Sequence, residues 1–326
     1  MKHHSTSTTG VEAPVAGIDV GKDTFHVGFD NCADREECGN DADGHRAVID
    51  ELRRRGVRRV GMESTASYSA PLARSLRQAG FSVNVFQPRQ VKAFAQFKLK
   101  RAKSDKIDCA MIAQCTAMSD PQDAPDPRLA AFCEHLTVIE QIGEDIGREK
   151  TRLEHVHDPA IAQMHKEEIK RHTARRCLLI KALVKAVRQQ ADLAKKMDLL
   201  RSIDGIGEIS ALTLALRMPE LGSISREQAA ALLGVAPFIR QSGAFQGERH
   251  IAGGRARARR TLFAAAQVAC WQWNKALIAL YDRLRAKGAH HTAAVIACTR
   301  KLVIYANTVL QRQKPWTKNI ECKAAL

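Results

Sequence analysis

Nine cysteines are scattered through 326 residues with no C-x-x-C pair among them, at positions 32, 38, 109, 115, 133, 177, 270, 298 and 322. An odd number at such spacing fits neither a disulfide framework nor a zinc site, and points to reduced thiols in a cytoplasmic protein. Aromatic residues make up only 5% of the chain, so no stacking-aromatic module for RNA is visible. No apolar run approaches the roughly 18 residues that a membrane span needs, and the opening MKHHSTSTTG has no apolar core of a signal peptide. Membrane-spanning and secreted readings drop out. The adjacent pairs His3-His4 and His290-His291 have no partner pair at metal-site spacing and read as solvated loops.

Acidic residues are also scarce, and unevenly so. Residues 1–125 carry 18 basic and 16 acidic side chains, residues 126–195 carry 13 and 11, and residues 196–326 carry 20 and 8. Most of the formal net charge of +16 therefore sits in the last 131 residues. A solubility charge would be spread evenly, whereas a basic region joined to near-neutral ones suits a polyanionic partner, whose neutralised phosphates release counterions.

The patterning predicts three kinds of structure after a polar tail at 1–14. Between 15 and 125, Val15 to Asp30 reads as a β-hairpin with Phe25, Val27 and Phe29 alternating against His26, Gly28 and Asp30. Helices around 44–55 and 69–79 then alternate with strands at 57–62 and 81–86, and helical pattern follows at 88–98 and 104–117. This predicts a mixed sheet covered by helices. The DAPDP segment at 123–127 marks a boundary. Residues 126–200 carry narrow apolar stripes interrupted at Asp158-Pro159, which predict two long helices, folding back as a coiled-coil hairpin or pairing with another subunit, that serve oligomerisation. Residues 201–312 read as a mainly helical basic domain, with a Gly-rich stretch between Ala-rich helices at 226–233 and 258–280, and 313–326 as a loose tail.

Four carboxylates stand out. Asp19 lies inside an apolar strand, where an unpaired charge costs several kcal/mol, so it needs a cation. Glu63 ends another strand and can face the same point. Asp105 and Asp108, three apart on a helix capped by Ser104, share one face. Taken alone, these two also serve as first-turn helix charges or partners for Lys103 and Lys106. Hard oxygen ligands from two strands and a helix suit Mg²⁺, and the layout matches ribonuclease-H-like nucleases. Basic side chains Arg89, Lys92, Lys98, Lys100, Arg101, Lys103 and Lys106 surround the helical pair and fit a backbone-gripping loop.

Two stretches of the basic domain add candidates. Arg201 to Ser210 (RSIDGIGEIS) holds a G-x-G turn before a helix, which can aim amides at a phosphate or simply enter an ordinary helix. Phe238 to Arg260 holds Arg240, Arg249, Arg255, Arg257, Arg259 and Arg260 against Glu248 alone, with glycines at 243, 247, 253 and 254. Ser242 lies among them. A hydroxyl there can meet and attack a phosphodiester, although a Ser-Gly pair also marks a plain turn. None of the three tyrosines, Tyr68, Tyr281 and Tyr305, lies in such a loop.

In this order, G-I-D-V-G-K at 17–22, E-S-T-A-S-Y at 63–68, K-S-D-K-I-D at 103–108, I-D-G-I-G at 203–207, and Q-S-G with G-E-R-H-I-A-G-G-R-A at 241–256 make the chain resemble the IS-one-ten insertion-sequence family of DEDD transposases, which includes Piv-like DNA invertases. The resemblance covers about residues 15–310. It implies a RuvC-like domain with Asp19, Glu63, Asp105 and Asp108 as its acids, a coiled coil, and a transposase domain with Ser242 as nucleophile. It also implies Mg²⁺, donor and target DNA, a bridge RNA, and dimers that assemble into a tetramer whose active sites draw acids and serine from different subunits. Cys109 departs from the alanine common after the last acid. Two other readings stay open: a hydrolytic junction resolvase in which Ser242 is structural, and a non-catalytic nucleic-acid-binding protein.

Overall fold

The computed structural model describes residues 14–30, 32–65, 68–99, 105–238, 241–242, 245–246 and 250–317, with backbone alone at 32–34, 105–108, 238, 241–242 and 245–246. Ser104, Lys100, Arg101, Lys103, Arg240 and Arg249 lie outside the described residues. The chain divides into two compact units, Met1–Pro125 and Asp126–Leu326.

The first unit is a five-stranded mixed sheet. β1 (Val15–Val20) pairs antiparallel with β2 (Thr24–Phe29), and β2 with β3 (Cys32–Gly39); on its other side β1 runs parallel to β4 (Arg59–Glu63), and β4 to β5 (Ser82–Phe86), giving the order β3-β2-β1-β4-β5. Alternation assigns the two faces. Ile18, Phe25, Val27, Val60 and Met62 point one way and form a core with Val48 and Leu52 of α1 (Ala42–Arg54) and Leu72 and Leu76 of α2 (Ser69–Gln78). The opposite face carries Gly17, Gly28 and Gly61 side by side across three strands, since Gly17 pairs with both of the others. α3 (Pro88–Phe97) and α4 (Asp105–Ala117) complete the unit, with Ile112 and Cys115 of α4 meeting Phe86 and Val91.

The strand β3 was not expected from the sequence. It is an edge strand whose charged Arg35, Glu36 and Glu37 remain at least partly exposed, and an edge tolerates charges that mask the alternation of a half-buried strand.

The second unit is helical. α5 (Pro127–Glu154) and α6 (Pro159–Arg188) lie antiparallel, with His165 Nδ1 2.6 Å from Glu149 Oε2 and Arg176 Nε donating to the Ile139 carbonyl at 3.4 Å. Asp126 and Asp158 cap these helices and a proline follows each cap, so each Asp-Pro pair is a helix start. The open end of the pair feeds Leu136, Ile139, Leu183 and Val187 into the core of the unit. There they meet α7 (Ala191–Arg201), α8 (Glu208–Arg217), α9 (Arg226–Leu233) and α10 (Ala256–Val268). A π-helical turn (Ala269–Trp273), α11 (Lys275–Ala286) and α12 (His291–Arg312) complete the unit. α12 is long and apolar enough to cross a membrane by length and composition, but Val295, Leu302 and Ala306 are fully buried within the unit and mark it as a core helix. The helix expected at 258–280 is broken at Asn274, because its side chain caps α11 and also donates to the Asp204 carbonyl at 3.1 Å, a tertiary contact outside the local pattern.

The seven described cysteines are free. Cys270 and Cys298 are buried, and burial pushes the Cys298 thiol up to about 12.

Candidate active site and nucleic-acid interface

The geometry of the acids begins with the three glycines. A Cβ on Gly17 would stand 2.1 Å from the Cys109 carbonyl oxygen and 2.4 Å from the Ala113 amide, one on Gly28 2.8 Å from Cys109 Cβ, and one on Gly61 1.8 Å from Thr116 Oγ1. α4 therefore lies on bare backbone, closer than any side chain would allow. The Cys109 thiol donates to the His26 carbonyl at 3.3 Å, and Arg59 Nη2 donates to the Thr116 carbonyl at 2.7 Å. These contacts run α4 diagonally from the end of β1 to the start of β4. Its first turn, 105–108, thus begins at the edge where β1 and β4 end.

Asp19 lies two residues after Gly17 and Glu63 two residues after Gly61, so both acids share the glycine face. Ile18 pairs with Met62, so the next residues, Asp19 and Glu63, stand side by side on strands roughly 4.8 Å apart. Both are partly buried, and both have polar partners in the structure. His26, the cross-strand partner of Asp19, is on the same face. Asp105 and Asp108 are assigned to this edge by their backbone alone. Among the residues with described side chains, no three metal-ligand side chains cluster.

The sequence contained an unread signal for this arrangement. Gly17-Ile18-Asp19 and Gly61-Met62-Glu63 share the spacing glycine, apolar, acid, which in a strand puts the bare position and the acid on one face and the core residue on the other.

Ser242 belongs to the second unit. β6 (Pro237–Phe238) pairs with β9 (His250–Ile251), and within them β7 (Gln241–Ser242) pairs with β8 (Phe245–Gln246), so Ser242 faces Phe245 at the inner end of two nested antiparallel pairs. The foot of this projection is pinched shut by backbone. Gly234 ends α9 at φ +78°, and a Cβ there would lie 2.3 Å from the Gly253 carbonyl oxygen.

The basic candidates divide by what they touch. Arg255 is part-buried, donates to both Glu220 oxygens at 2.5 and 2.6 Å and to the Arg217 carbonyl at 2.8 Å. Burial raises the Glu220 carboxyl, but the hydrogen bonds from Arg255 and from backbone, with the positive charges of Arg255 and Lys196, together outweigh it and hold the group below its ordinary value. Arg259 donates to the Gly253 carbonyl at 2.6 Å. Arg257 reaches Glu140 at 2.9 Å and Arg260 pairs with Glu144, yet both remain well exposed, at 43% and 69% of the side chain. Lys98 caps α3, exposed, with Nζ 5.6 Å from the Phe94 ring centre.

Residues 16–162 match the DEDD family model described as transposase, and residues 197–282 match the model of the transposase IS116/IS110/IS902 family. The chain belongs to the IS110 family of transposases. Among its relatives is the pilin gene-inverting protein of Moraxella bovis, 24% identical over 79% of this chain and 82% of that protein. The protein of the same name from Moraxella lacunata matches to the same extent. Membership of the transposase family makes this chain a DNA-processing enzyme of recombination. The first family match includes β1, β4 and α4, and the second includes the Ser242 projection.

Proposed function

We propose that the chain is an insertion-sequence recombinase of RuvC-like fold in which Asp19, Glu63, Asp105 and Asp108 form a metal site and Ser242 is the nucleophile. The observation that carries this reading is the shared face of Asp19 and Glu63 at neighbouring strand ends, beside the first turn of α4. Hard carboxylate donors on a half-buried edge fit Mg²⁺. When bound there, the ion supplies charge stabilisation at the phosphoryl oxygens.

In the proposed reaction Ser242 Oγ loses its proton to water or a neighbouring base and forms a new bond to a DNA phosphorus. The bond from that phosphorus to one deoxyribose oxygen breaks, and the strand leaves as an alcohol. The attack of another strand's hydroxyl on the phosphoserine forms a new phosphodiester, breaks the bond to Ser242 and returns the serine hydroxyl, which completes the exchange with bond energy conserved and no nucleotide cofactor needed. Exposed Arg257 and Arg260, with Lys98, Lys100, Arg101, Lys103, Arg240 and Arg249, hold the donor and target DNA backbones. Arg255 and Arg259 act through the foot of the projection. α5 and α6 are the proposed oligomerisation hairpin, joining dimers into a tetramer with composite sites; a bridge RNA, by family resemblance, and a cytoplasmic location, from the scattered reduced thiols, complete the reading.

A hydrolytic reading has one observation in its favour: all four acids lie within the first compact unit, apart from the serine. Strand exchange with the purified protein, DNA and Mg²⁺ separates the two. Covalent catalysis expects Ser242→Ala and Asp19→Asn both to abolish exchange. Nicking that survives Ser242→Ala but not Asp19→Asn would establish hydrolysis instead.

A further inference from the structure

The I-D-G-I-G turn is absorbed by neither the metal site nor the serine. It enters α8 and lines a cavity of about 410 Å³ with Arg201, Ser210, Val268 and Trp273. Gly205 has φ +100°, and a Cβ on it would meet Ala269 Cβ at 2.3 Å, so the turn is fitted against the π-helical turn. Asn274, 3% exposed, ties the two by its bond to the Asp204 carbonyl. Inside, Ser210 is 8% exposed and its hydroxyl has no hydrogen-bond partner among the described residues. The hydroxyl is open to the cavity, so it can offer a hydrogen bond to a polar group that enters. At the rim Trp273 is 62% exposed, a large apolar face that folding leaves uncovered.

A second depression is lined by Lys181, Lys185, Arg188 and Glu208, and Glu208 lies 3.9 Å from Arg201 of the first cavity. Lys181, Lys185 and Arg188 recur at i, i+4 and i+7 on α6. Like charges at that spacing repel and weaken a helix unless an anion faces them. Arg188 has Asp198 at 2.8 Å, but neither lysine has an ion-pair partner among the described residues.

We propose that this surface holds an unpaired strand of nucleic acid: Lys181 and Lys185 meet successive phosphates, Ser210 and the turn take a further polar group of the strand, and one base stacks on Trp273. The occupant is single-stranded because the face of a base is open to an indole only when it is not stacked within a duplex. The inference deepens the proposed function and rests on it in taking nucleic acid as the partner.

The test measures binding by the full-length Ser242→Ala protein, so that no strand chemistry intervenes, using labelled oligouridine, oligothymidine and a blunt DNA duplex. Trp273→Ala is expected to weaken single-strand binding about tenfold and leave duplex binding unchanged, while Trp273→Phe keeps most of the affinity. Replacing Lys181 and Lys185 together by alanine is expected to flatten the dependence of log affinity on log salt by about 1.4 for single strands. A greater loss on oligouridine identifies the strand as RNA, and a greater loss on oligothymidine as DNA. Single-strand affinity unchanged in Trp273→Ala, or lost equally on duplex, would overturn the proposal. Because binding is read without turnover, the result stands whether or not strand exchange depends on Ser242.

Discussion

The two units differ in where they place the charges of the proposed chemistry. In the first, acids are drawn together by backbone geometry: three glycines bare the sheet, α4 settles onto it, and Asp19 and Glu63 are left on the same face at one edge. In the second, acids are dispersed along the helices and hold arginines: Glu140 takes Arg217 and Arg257, Glu144 takes Arg260 and Glu220 takes Arg255. The near-neutral unit thus brings two acids to one edge while pairing others, such as Glu51, with arginines, and the strongly basic unit commits part of its positive charge internally. Net charge located the polyanion partner in the sequence, but only the contacts tell which cations remain available to it.

The largest difference between the units is expected at the acids. Asp19→Asn should lower metal-dependent strand cleavage by at least about a hundredfold, which leaves no detectable exchange, while the thermal midpoint stays near that of wild type. An equal loss from Glu220→Gln would erase the distinction between the units.

Next comes the glycine platform. Gly17→Ala should destabilise the first unit by about 3 kcal/mol, the upper range for overpacking, because its methyl meets α4 backbone that cannot rotate aside. Chemical denaturation checks this, and a neutral result would mean that α4 does not lie on the sheet.

Smaller effects sharpen the division among arginines. Arg255→Ala should cost about 1–2 kcal/mol through the loss of its charged hydrogen bonds to Glu220. Arg260→Ala, 69% exposed, should change stability by less than about 0.5 kcal/mol yet lower the salt slope of DNA binding by about 1. The pH dependence follows from the same pair. Since the folded Glu220 carboxyl is held below its ordinary value, its contribution is fully present above the usual carboxylate range and is lost as pH falls through the lowered folded value. Acid titration of the melting midpoint should therefore show a step in wild type that Arg255→Ala lacks.

Much of the first unit was legible from its sequence, because β1, β2, β4 and β5 alternate apolar residues with others and the helices between them show their own period. Asp19 and Glu63 were visible as acids in strands. Their common face was written in the two glycine-x-acid triplets but required the register of β1 against β4 to read. β3 escaped because an edge strand needs no apolar alternation. In the second unit the long apolar stripes announced α5 and α6, but Asn274 broke a helix through a partner 70 residues away. Arg255 looked like a free cation because a bidentate partner at Glu220 has no sequence signature. Trp273 passed unnoticed among few aromatics, since nothing in a helical pattern says which indole stays uncovered.

The central claim is that the Ser242 hydroxyl forms the bond to DNA, and peptide mapping of a trapped protein–DNA adduct by mass spectrometry tests it most directly. A phosphodiester remnant is expected on the peptide that contains Ser242, and it is lost in Ser242→Ala. An adduct on another residue, or strand exchange proceeding with no adduct formed, would contradict it.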